Sequence, residues 1–198
     1  MPRPTARRLA LCLVLLLGAC TPAVQAPPPS PPPAPAASHP RVGGAVMDPG
    51  YTFVQNLGAS ADHRILSAAI RASGAATIMA SAGSYTLFAP TDAAFGTLPS
   101  GTVEALMSPR SRVELDGVVN AHILQGARTR SQIEADIRAG GGQALYRSLA
   151  GQMVRATMSG DAILLTDGNG RQARISQGDV TQANGVMHVI DAVLLPTG

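Results

Sequence analysis

The stretch Tyr85-Thr86-Leu87-Phe88-Ala89-Pro90-Thr91-Asp92-Ala93-Ala94-Phe95 leaves its backbone few choices. Tyr85 to Phe88 combines β-prone and apolar residues, and Pro90 has no N–H for a sheet ladder, so strand pairing is expected to end there. Thr91 or Asp92 can then cap a helix, its side-chain oxygen accepting from an otherwise unpaired backbone N–H. The chain has three Phe, three Tyr and no Trp. With so few rings, Phe88 and Phe95 are expected to anchor the core on either side of this turn.

A second extended motif follows about a hundred residues later, in Asn184-Gly185-Val186-Met187-His188-Val189-Ile190-Asp191-Ala192-Val193-Leu194-Leu195-Pro196. In order and spacing the two stretches resemble the signature boxes of the fasciclin domain, a secreted or membrane-tethered adhesion and binding module. The resemblance runs from Ala45 to Pro196. It implies an α+β fold, a wedge-shaped β-sandwich with N-terminal helices packed along one edge. Ala121-His122-Ile123-Leu124 resembles the family's Tyr-His pair, with Ala121 in place of the tyrosine. Any role of that tyrosine is therefore absent or moved.

Charge removes one large function class. The pI is about 9.4, yet every one of the 15 basic residues is arginine, and Arg3, Arg7 and Arg8 lie in the first 19 residues, which hold no acid. The remaining 12 arginines meet 12 carboxylates. No basic stripe for phosphate recognition is visible, and nucleic acid is not an expected partner. Cys12 and Cys20 both precede the domain, which therefore has no disulfide, thiolate nucleophile or thiolate ligand.

Residues 1–19 read as a secretion signal. Arg3, Arg7 and Arg8 form a basic head, and Leu9 to Leu17 is an apolar run too short to span a bilayer. Leu16-Leu17-Gly18-Ala19-Cys20 resembles a lipobox, which implies cleavage before Cys20 and acylation of its thiol and new amino group. The expected location is the bacterial cell envelope, with a lipid anchor in the membrane. Thr21 stands where aspartate signals inner-membrane retention, which points to the outer membrane. Residues 20–44 then form a tether. Ala26 to Pro35 lacks apolar bulk and backbone donors and favours polyproline II, so the 20 residues from Thr21 to Pro40 reach up to ~60 Å at ~3.1 Å per residue. The domain is assigned to residues 45–198, after loose chain from Arg41 to Gly50.

Within the domain, helices come first. Tyr51, Phe53, Val54 and Leu57 share a face, and Ile65, Leu66, Ala69 and Ile70 follow helical spacing behind a Ser60 or Asp62 cap. Ala75 to Ala82 is a short apolar helix or turn, and Thr102 can cap a helix carrying Val103, Leu106 and Met107. Ser108-Pro109 opens another, with Val113, Leu115 and Val119 along it. Ser131-Gln132-Ile133-Glu134 reads as a capping box. The period then changes to strands over residues 144–149, 153–158, 162–166, 172–175 and 186–195, with Asp167-Gly168-Asn169-Gly170 as a hairpin turn. A mainly antiparallel sheet is expected.

Chemistry is sparse. The histidines are His39, His63, His122 and His188, with no metal-ligand spacing. His63 reads as solvated near a helix start, while His122 and His188 read as buried, hydrogen-bonded residues. Asp191 interrupts an apolar strand, which suggests a buried hydrogen bond. Thr91, Asp92, His122, Asn184, His188 and Asp191 are the candidate site residues, all as structural hydrogen-bond formers, with Asp92 or Thr91 expected to bond His122. Met79, Met107, Met153, Met158 and Met187 read as core filler. No nucleophile elbow, phosphate loop, dinucleotide glycine pattern or zinc helix occurs, so no catalytic residue, cofactor or metal is assigned. The resulting expectation is a non-enzymatic adhesion module binding matrix, envelope polysaccharide or a surface protein. The rival is a periplasmic small-ligand carrier or enzyme using a cleft near His122 and Asp92, with His188 and Asp191 as further polar groups.

Overall fold

A computed structural model describes residues 39–80 and 83–197, so the signal segment, Cys20 and the tether as far as residue 38 lie outside the described residues. The chain that reads as loose is a small hairpin. Strands β1 (Arg41–Val42) and β2 (Ala45–Val46) pair across Gly43 and Gly44, both at positive φ. Val42 is buried in the core, and the Gln177 side chain donates to the Arg41 carbonyl at 3.1 Å. Packing thus begins ahead of residue 45.

Three short helices follow: α1 (Phe53–Ala59), α2 (Arg64–Ala72) and α3 (Ala75–Ala80). Their apolar stripes, among them Phe53, Leu57, Leu66, Ile70 and Met79, pack together, while Tyr51 stays exposed just before α1. Strand β3 (Tyr85–Pro90) then leads directly into α4 (Asp92–Phe95). Next come α5 (Thr102–Leu106), a 3-10 turn at Pro109–Ser111, and α6 (Arg112–Ala121). Helix α6 buries Leu115, Val118 and Val119 but turns Val113 to solvent.

The rest of the sheet surrounds one more helix. Strand β4 (Ile123–Gln125) precedes α7 (Arg130–Ala139), whose capping box is Thr129 with Gln132, two residues before the expected serine. Then come β5 (Gln143–Arg147), β6 (Met153–Ser159), β7 (Ala162–Thr166), β8 (Gln172–Gln182) and β9 (Gly185–Ile190). The sheet order is β4-β3-β9-β8-β7-β6-β5. Five neighbouring pairs are antiparallel, but β3 and β9, the strands of the two signature boxes, run parallel with Tyr85 opposite Gly185 and Pro90 opposite Ile190.

Strand β8 runs well past Ile175. Its register shifts between Ile175, Gln177 and Val180, and Asp179 sits at φ 58°, so the strand bends and continues to Gln182. Gly178-Asp179 mimics a turn in sequence, but a bulge can absorb such residues without ending the strand. The bend lets β8 pair with β7 at one end and with β9 along its length, joining two leaves. A bridge between Leu124 and Ser148, with Leu149 N–H donating to Ile123 at 2.9 Å, brings the two sheet edges together. This is an α+β fold with a sheet curled nearly into a barrel.

Two cores result. One joins the helices to Leu87, Ala89, Met187 and Val189; the other fills the curled sheet with Phe88, Leu165, Ile175 and Ile190, covered by Ile133 and Ile137 of α7. Strands β3 and β9 are apolar on both faces because both faces are covered. Phe88 and Phe95 thus lie in different cores. Met79 and Met187 are fully buried and Met107 packs at the margin, whereas Met153 and Met158 are exposed on β6.

At Gly185, φ is +146° and a Cβ would collide with the Tyr85 carbonyl in the parallel pair. Gly185→Ala is therefore expected to cost about 3 kcal/mol or more. Urea unfolding checks this; a midpoint within error of the native chain contradicts the pairing at that position.

Candidate functional site

His122 sits at the C-cap of α6, where the helix hands over to β4. Its ring is buried, with Nδ1 2.7 Å from the Val118 carbonyl and Nε2 accepting from the Leu194 N–H at 3.0 Å. Those partners assign the proton to Nδ1. The His122 carbonyl also accepts from the Phe88 N–H at 2.9 Å. One residue therefore ties α6, β3 and the chain beyond β9.

His188 does the converse inside β9. Its Nε2 is 2.8 Å from the Arg128 carbonyl, and its Nδ1 accepts from the Asp179 N–H at 3.3 Å, so the proton belongs on Nε2. Its ring packs against Phe88 with centroids 5.9 Å apart. In both histidines one nitrogen donates and the other accepts, which only the neutral ring can do.

The carboxylates and amides act alike. Asp92 begins α4 but accepts from the N–H groups of Arg64 (3.2 Å) and Ile65 (2.9 Å), capping α2 across the core. It takes the place expected of Ser60 or Asp62. Thr91 caps α4 by accepting from Ala94 N–H at 3.2 Å. Neither bonds His122, whose ring nitrogens are already used on Val118 and Leu194. Asn184 accepts from the Phe53 N–H at 3.2 Å and donates to the Met79 carbonyl. Asp191 lies just past the end of β9 and is exposed, accepting from the Arg174 N–H at 2.7 Å; its hydrogen bond is at the surface.

His63, expected in solvent, is fully buried, with Nδ1 2.9 Å from the Ser60 hydroxyl. Sequence reasoning also passed over Asp167, whose carboxylate accepts from Asn169, Arg171 and Leu195 N–H groups at 2.9 Å each. The Asp-Gly-Asn-Gly run carried that signal as an Asx turn. The Asn56–Gln182 amide pair, 126 residues apart, had no local signal.

The candidate residues do not converge on one cleft. His122 lines an apolar recess with Ile65, Phe95 and Leu115, whereas Asp92 borders an adjoining open hollow beside Pro99 to Glu104, with Ile65, Phe95 and Val103 between the two. Among the described residues no group of three His, Cys, Asp or Glu is placed to hold a metal ion, and no helix is long and apolar enough to cross a membrane.

Burial lowers the His122 pKa to about 4 and also lowers His63 and His188. The unfolded chain takes up these protons near the ordinary value of ~6.5, so it binds more protons than the folded chain at mildly acid pH. Stability is therefore complete above pH ~6.5 and falls as pH drops towards 4, with His122 alone contributing a loss of up to about 3 kcal/mol. Urea midpoints at pH 7, 5.5 and 4.5 should decline in that order, and His122→Asn should be weaker at pH 7 but show a shallower decline. A flat native profile contradicts neutral histidines.

The fasciclin domain family matches residues 61–196 of the chain. Protein sll1483 of Synechocystis is 31% identical over 152 residues, covering 77% of each chain. The cell surface glycolipoprotein MPB83 of Mycobacterium bovis is 28% identical over 114 residues, or 58% of this chain and 44% of its own length. Among solved structures, a FAS1 domain pair from the insect cell adhesion molecule Fasciclin I superposes with a TM-score of 0.52 at 24% identity, over 64% of this chain and 42% of that one. The chain thus spans less than half of the glycolipoprotein and of the domain pair. With both boxes paired in one sheet and the family match running through each, this chain belongs to the fasciclin domain family.

Proposed function

We propose that the chain is a non-enzymatic adhesion module of the bacterial cell envelope, anchored in the outer membrane by acyl chains on Cys20 and carried outward by the Pro/Ala segment. Its partner is a matrix component, an envelope polysaccharide or a surface protein. The observation that carries this reading is how the polar side chains of the two boxes are used. Thr91, Asp92, His122, Asn184 and His188 each bond the backbone of the domain itself. A nucleophile or general base needs a free lone pair facing substrate, and both nitrogens of His122 and of His188 are committed.

Two further points support it. The lipobox stands directly ahead of a run suited to a spacer, and related proteins are a cell surface glycolipoprotein and a cell adhesion molecule by name. Adhesion also suits a tethered domain, since many weak contacts on one surface add up to strong attachment. A ligand carrier needs a cavity of roughly 300 Å³ or more, and the recess beside His122 holds about 10 Å³.

Radiolabelled palmitate should enter the native chain but not Cys20→Ser when both are expressed in a Gram-negative host. Cells displaying the native chain should bind surfaces coated with polysaccharide or matrix protein better than cells carrying Cys20→Ser. Equal labelling removes the anchor, and equal attachment with and without the protein removes adhesion.

A further inference from the structure

The outward face of β5 to β8 has a composition the fold does not require. Strand alternation turns Tyr146, Val154 and Leu165 inward and leaves the opposite set to solvent. Register places Arg147 opposite Met153, Leu145 opposite Arg155, and Leu164 opposite Arg174. Leu145 is 55% exposed and Met153 47%, high values for apolar side chains on regular strands. The positions paired with them on this face, Gln143, Thr157, Thr166 and Gln172, carry no carboxylate. Ion pairs among the described residues join Arg128 to Asp136 and Arg130 to Glu134; Arg147, Arg155 and Arg174 take part in neither.

The three arginines form a diagonal. Arg147 and Arg155 are diagonal neighbours on adjacent strands, with Cβ atoms roughly 7–8 Å apart. Arg174 lies two strands further on. With strands ~4.8 Å apart and same-face residues ~6.8 Å apart along a strand, the row is roughly 20 Å long. Apolar side chains flank each guanidinium. Like charges in a row repel unless a partner of opposite sign lies along them. Asp161 and Asp191 line the recess beside Arg174, so the field is strongest at the Arg147–Arg155 end.

We propose that this face binds an acidic polysaccharide lying extended across the strands. Guanidinium forks take the anionic groups in paired, charge-assisted hydrogen bonds. Leu145, Met153 and Leu164 take the C–H faces of the intervening sugar rings. Linear shape fits a diagonal row, and acidity fits an arginine set whose neighbouring carboxylates, Asp161 and Asp191, lie at the Arg174 end alone. A bilayer is a poorer match, because the face presents no aromatic side chain to the headgroup layer. This inference rests on the adhesion reading and names its partner class and surface.

The test is binding of the full chain to polygalacturonate, with the fully methyl-esterified polymer as an uncharged control and phosphatidylglycerol vesicles as a lipid control. The native chain should bind the acidic polymer, weaken as salt rises, and ignore the ester. Arg147→Gln or Arg155→Gln should weaken binding about tenfold, Arg174→Gln less, and the triple variant about a hundredfold. All four are surface changes, and an unchanged urea midpoint establishes that folding is intact. Native-strength binding by the triple variant overturns the assignment of this face. Binding to vesicles but not to polygalacturonate overturns it in favour of a lipid surface. Absence of binding to either overturns this inference alone, since cell attachment to matrix protein tests the adhesion reading separately.

Discussion

The parallel pairing of β3 with β9 is the constraint on which the other elements depend. A parallel pair needs a crossover, and here the crossover contains α4 to α7 and β4 to β8. Both strands are covered on both faces, so each half of the molecule must pack against them for either face to leave water. The helices cover one side; the curled sheet and α7 cover the other. Contacts so distant in sequence close late, because the entropy of the intervening loop must be overcome before the pairing contributes.

Buried side chains hold this long-range arrangement where ladders end. A strand bend, a helix terminus and a bulge each leave backbone groups without ladder partners. His122 and His188 meet one donor and one acceptor each with a single rigid ring, which a carboxylate or ammonium cannot do. Their neutrality follows from that use. Protonation would turn each acceptor nitrogen towards an N–H donor, Leu194 in one case and Asp179 in the other. Asp92 extends the pattern: it belongs to one signature box by sequence, yet the helix it caps begins 28 residues earlier.

Local signals were legible wherever they were sufficient. Pro90 and Thr91 mark the strand end and cap correctly, since both act within a few residues. The α+β class was legible from the change of period after Gly142, and the wider architecture from the two boxes. Four features were hidden for physical reasons. Asp92 caps a distant helix, which no spacing rule reveals. His63 is buried because the fold closes over it, although its polar neighbours suggest solvent. The strand expected over 172–175 runs on to Gln182, because a bulge takes up Gly178-Asp179 without ending it. Val113 is exposed beside buried neighbours because two residues of the same helix turn it about 200° from Leu115.

The hairpin at Arg41 to Val46 acquires a different meaning under load. Under the proposed adhesion function, load reaches the domain through the chain ahead of residue 39 and enters the described residues here. The two strands are two residues long and antiparallel, so tension peels their bonds in succession instead of shearing them together. Val42 and the Gln177–Arg41 contact would yield first, releasing slack while the β3–β9 pair stays intact. In that reading the hairpin is a mechanical fuse. It would lengthen the connection at modest force and spare the proposed binding face from the first jolt.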